Sequence, residues 1–123
     1  MPGRHRLPPY EKALHAARAV LDVAAGLMDD AQAGIRLRQA TGRQWTLLTA
    51  IQYLTGKEAI AALRAIPADQ APMGLSHEDR THAIALAVSA AAGGARDGGP
   101  LCASHLVALY RAHAGASTED QGA

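Results

Sequence analysis

Phenylalanine is absent from this 123-residue chain, cysteine and tryptophan occur once each, and tyrosine occurs three times. A single thiol cannot close an internal disulfide, so packing must hold the fold, and that suits a reducing cytoplasm. Long apolar runs are missing too. The most apolar stretch, Ala13 to Leu27, is interrupted by Arg18 and Asp22 and is too short for the roughly 30 Å of a bilayer core. No targeting leader is evident, and no membrane partner is expected. Charge of one sign is also scarce: 12 Lys plus Arg against 11 Asp plus Glu leave a net +1. That balance excludes a strongly basic nucleic-acid coat and an acidic mimic of one.

What the chain has is alanine, which makes up 29 of the residues counted as hydrophobic. Leucine, isoleucine, valine, methionine, tryptophan and tyrosine together number 30, so the length permits one compact domain with a lean core. The pattern predicts an all-α fold, an Ala-rich compact bundle of five to six short helices, with a flexible arm over 1–7, a single helical domain over 8–115 and a disordered acidic tail over 116–123.

The periodicity places the helices. Pro8 and Pro9 open the first, where Leu14, Ala17, Leu21, Ala24 and Met28 share one face and Glu11, His15, Arg18 and Asp22 line another. Asp29 or Asp30 caps a second helix to about Ala40, with Gly34 costing it about 1 kcal/mol relative to alanine. The alternation around Ile35 to Arg38 also fits a short hairpin over 34–48. Three later starts carry a hydroxyl residue with a reach-back side chain three positions on: Thr41 with Gln44, Thr55 with Glu58, and Ser76 with Asp79. They open helices ending near Leu54, at Ile66 before Pro67, and at Ala92 before Gly93. Pro100 starts a last helix, Leu101 to Ala114.

Alanine faces let helix axes approach to the short end of the roughly 8–10 Å range, but they bury little apolar surface. A subunit built this way is expected to complete its core by homodimerisation across a two-fold axis.

Candidate chemistry is sparse. His77 and His82 are five apart, about 140° around a helix, so they cannot act as a zinc-protease pair. Glu78 and His82 stand at i, i+4, which suits a surface ion pair and only weakly half of a metal site. Cys102 and His105 stand at i, i+3 near a helix start, where a thiol pKa falls, so a nucleophile or a metal pair is conceivable. The plainer reading is a buried structural cysteine sharing a face with Leu106 and Leu109. No catalytic set, cofactor or metal is assigned, and the chain reads more as a non-enzyme than an enzyme.

Charge is unevenly placed: residues 1–57 carry a net +4 and residues 58–123 a net −3. Arg4, Arg6, Arg36, Arg38, Arg43 and Lys57 would contact phosphates if the chain were a nucleic-acid accessory factor. The leading expectation is a small intracellular interaction or regulatory protein acting on itself and an unidentified protein. Its candidate anchors are Trp45, Leu47, Leu48 and Tyr53, unless Trp45 simply fills the core.

Overall fold

The structure, a computed structural model, describes residues 9–93 and 106–112. Within them lie α1 (Pro9–Ala24), α2 (Asp30–Thr41), α3 (Leu47–Leu54), α4 (Lys57–Arg64), a 3₁₀ turn (Pro72–Gly74) and α5 (His77–Gly93). Residues 106–112 are helical as well and form α6. Among the described residues there is no strand, so the hairpin considered for 34–48 does not form. The stretch is α2, a short turn and the start of α3.

α1 is the axis of the bundle and packs against α2, α3, α4 and α5. Ala13, Leu14, Ala16, Ala17, Ala19, Val20, Val23 and Ala24 are all buried, a coverage wider than one amphipathic stripe. The small side chains permit it, because four neighbours can close on one helix only if that helix is thin. Leu14, Val20 and Val23 each contribute about 1.5–3 kcal/mol through burial. Ile51 and Leu54 of α3, Leu63 of α4, Leu86 of α5 and Leu106 of α6 complete the same cluster.

The helix ends follow local chemistry, in places unlike the expected one. α1 stops at Ala24, short of Met28, because Gly26 adopts φ +81°. The Gly26 amide donates to Val23 and the Leu27 amide to Asp22, which satisfies two terminal carbonyls. Asp29 caps α2, accepting from the Gln32 amide at 2.8 Å while Gln32 Oε1 accepts from the Asp29 amide at 3.0 Å. Gly42, at φ +70°, closes that helix.

Two of the three expected reach-back caps are corrected. α3 starts at Leu47, capped by Thr46 with Thr49, while Thr41 turns back to donate to the Leu37 carbonyl at the end of α2. Thr55 is the last residue of α3's cap region, its hydroxyl donating to the Gln52 carbonyl, and α4 begins after Gly56 with no side-chain cap. Both hydroxyls donate to a carbonyl one turn behind, and Thr41 Oγ1 also accepts from the Arg43 amide at 3.2 Å, within the turn and short of α3. Ser76 with Asp79 does form: Ser76 Oγ accepts from the Asp79 amide at 3.1 Å, and Asp79 Oδ2 accepts from the Ser76 amide at 3.4 Å.

The link between α4 and α5 is held by Arg80, which is buried. Its Nη1 donates to the carbonyls of Gln70 and Leu75, at 2.9 and 3.0 Å. Its Nη2 donates to those of Ile66 and Pro67, at 3.3 and 3.2 Å. One planar guanidinium thus gathers four carbonyls of an irregular segment that has few partners of its own.

Candidate interaction surface

Trp45 is 9% exposed and Leu47 3%, both inside the single-chain core. The Trp45 ring lies 5.1 Å from that of Tyr53 at an angle of 57°, a tilted aromatic pair that ties the residue before the α3 cap to the last turn of α3. Leu48 and Tyr53 are half-buried and pack on the rim of the core. Burial raises the Tyr53 hydroxyl pKa, and the Glu58 carboxylate raises it further. Of the four anchors expected from sequence, then, only the outer edges of Leu48 and Tyr53 remain open to another molecule.

Leu48 belongs to a second feature. An open groove of about 480 Å³ runs between α2 and the start of α3, lined by Asp30, Ala31, Gly34, Ile35, Arg38 and Leu48 together with Thr46 and Leu47. Ile35 is 50% exposed there, while Ala33 and Leu37 on the opposite face of α2 are fully buried. The helix therefore presents one apolar face to α1 and α3 and carries Ile35 on its far side, about 160–200° around from Ala33 and Leu37. The sequence pattern assigned α2 no core face, because Ile35 to Arg38 alternate as strand residues would.

The arginines do not gather. Arg36 donates through Nη1 to Asp22 Oδ2 at 3.0 Å, and Arg18 Nε donates to the same oxygen at 3.4 Å, so one carboxylate of α1 answers two guanidiniums. Arg18 also donates to the Met73 carbonyl at 2.7 Å, holding a residue whose φ of +57° is unusual for a side chain with a Cβ. Arg36 lines a groove with His15 and Gln39, whereas Arg38 lines the α2–α3 groove. Residues two apart on a helix diverge by about 200°, which spreads the positive charge over separate faces. Arg43 and Lys57 are exposed, and Arg4 and Arg6 lie outside the described residues.

On the α5 side, His82 is half-buried and stacks on Tyr110 with ring centroids 5.5 Å apart, while Glu78 is exposed. A groove of about 640 Å³ along α5 is lined by both, with Leu86 and Leu109 as its apolar floor. Asp79, at its edge, is committed to the α5 cap. No group of three metal-ligating side chains occurs among the described residues. Cys102 and His105 lie outside those residues. Arg80 is the functional-looking residue that sequence reasoning passed over, and only a cation amid otherwise apolar α5 positions hinted at it.

Among the described residues no helix is long and apolar enough to cross a membrane. No protein family, curated protein or solved structure matches the chain.

Proposed function

We propose that this chain is a small intracellular interaction protein that works through its helical surface, first of all by associating with itself. The observation that carries the reading is the α2–α3 groove, where Ile35 stands half out of a subunit with little bulk to spare. Among the described residues, eleven of the 23 buried apolar side chains are alanine. Each alanine in place of leucine forgoes about 2 kcal/mol of burial, which makes covering Ile35 and Leu48 worth more to this subunit than to one with a heavier core.

Light scattering of the purified chain over a range of concentrations tests this directly. The expected mass is twice the 12.8 kDa of the chain. A monomer throughout the range would remove self-association from the reading.

A further inference from the structure

We infer that the α2–α3 groove receives the same groove of a second copy, the two α2 helices running antiparallel across a two-fold axis at the level of Gly34. This rests on the self-association proposed above and gives it a surface.

Charge is the first argument. Asp30 begins α2 and Arg38 lies in its last turn, eight residues or about 12 Å along the helix, and both line the groove. Among the described residues neither forms an ion pair, although their neighbours do find partners: Asp29 caps α2 and Arg36 is bound to Asp22. A groove with an unanswered acid at one end and an unanswered base at the other is complementary to its own inverse. Antiparallel pairing sets each Asp30 beside Arg38 of the other copy, forming two equivalent ion pairs. Parallel pairing would face like against like, and a partner of uniform charge would be repelled at one end.

The apolar lining is the second argument, centred on the level of Gly34, which lies midway between those charges. A Cβ built there would meet nothing nearer than Arg38 Nη1 at 3.4 Å, the free end of a flexible side chain, and then the Trp45 carbonyl at 3.7 Å. The chain's own packing would therefore accept alanine, which would favour the helix by about 1 kcal/mol. Gly34 is itself buried beneath the Arg38 side chain and the Trp45 carbonyl, so a second copy meets Arg38 and its apolar neighbours at this level and not the bare backbone. Ile35 and Leu48 then supply the apolar surface on either side of the axis, where a two-fold contact presents each of them twice.

The test is a charge-exchange set read by sedimentation or light scattering, with helical circular dichroism confirming that each variant folds. Asp30→Arg alone, and Arg38→Asp alone, place like charges opposite one another at both ends and should weaken the dimer by about tenfold. The double variant Asp30→Arg with Arg38→Asp restores opposite pairs between copies and should recover most of the association. It does so although both charges then oppose the helix's own dipole, so recovery cannot come from a better α2. Ile35→Asp leaves the charged ends alone, sits at a half-exposed position, and should give a monomer. A wild-type dimer indifferent to all four variants overturns this surface and leaves self-association standing. A wild-type monomer overturns both, and the groove's occupant is then a different protein.

Discussion

Arg80 shows how much one side chain can organise. The carbonyls it gathers belong to residues 66, 67, 70 and 75, a stretch with one short 3₁₀ turn and little apolar burial apart from Leu75 and Ile66. Among the described residues no carboxylate answers its charge, and its Nε has no partner, so its stabilisation comes through charge-assisted bonds to backbone oxygens. Replacing it with Met keeps the stem and removes the donors, and is expected to cost about 2–4 kcal/mol in urea unfolding. The same variant should be cut faster by proteases between residues 65 and 75, because the segment loses the group that ties it down. Arg80→Lys should fall between the two, since an ammonium has three donors and no plane.

At the scale of the helices, much was legible and the exceptions have causes. The existence and order of α1 to α5 follow from spacing in the sequence, and the Asp29 and Ser76 caps formed as their residue types imply. What spacing could not resolve was competition between equivalent local bonds. Thr41 and Thr55 each donate to a carbonyl of the helix behind, and the Thr41 oxygen accepts from Arg43 within the turn, so neither caps the helix ahead. Gly26 was invisible as a terminator because the apolar period continues through Met28, whereas a left-handed glycine stops the helix whatever follows. The candidate surface is less legible than the fold: Trp45 is internal, and the alternation of Ile35 with arginines carries no sign of its exposure. Two glycines of α2 separate these effects. Gly42→Ala forces a Cβ into φ +70° and should destabilise by about 1–2 kcal/mol, measured by thermal unfolding. Gly34→Ala meets only ordinary contacts and should raise stability by up to about 1 kcal/mol when unfolding is followed at low concentration.

For the molecule as a whole, the self-association proposed above would tie stability to protein concentration. α1 is sheathed by α2 to α5, yet the sheath is thin because so many of its inward positions are alanine. A second copy that binds only the folded chain adds its binding free energy to folding, so the unfolding midpoint should climb as protein concentration rises. Ile35→Asp should flatten that dependence while leaving the low-concentration midpoint nearly unchanged, because the half-exposed residue contributes little within one subunit. Differential scanning fluorimetry of both proteins over a dilution series would read the two slopes side by side.

The central position of α1 also orders events during synthesis. This segment leaves the ribosome before any of the four helices that wrap it, so its alanine and valine faces stay wet until α3, α4 and α5 have been made. The nascent chain therefore gains little by settling early, and the bundle closes around its first rod only when the later ones arrive.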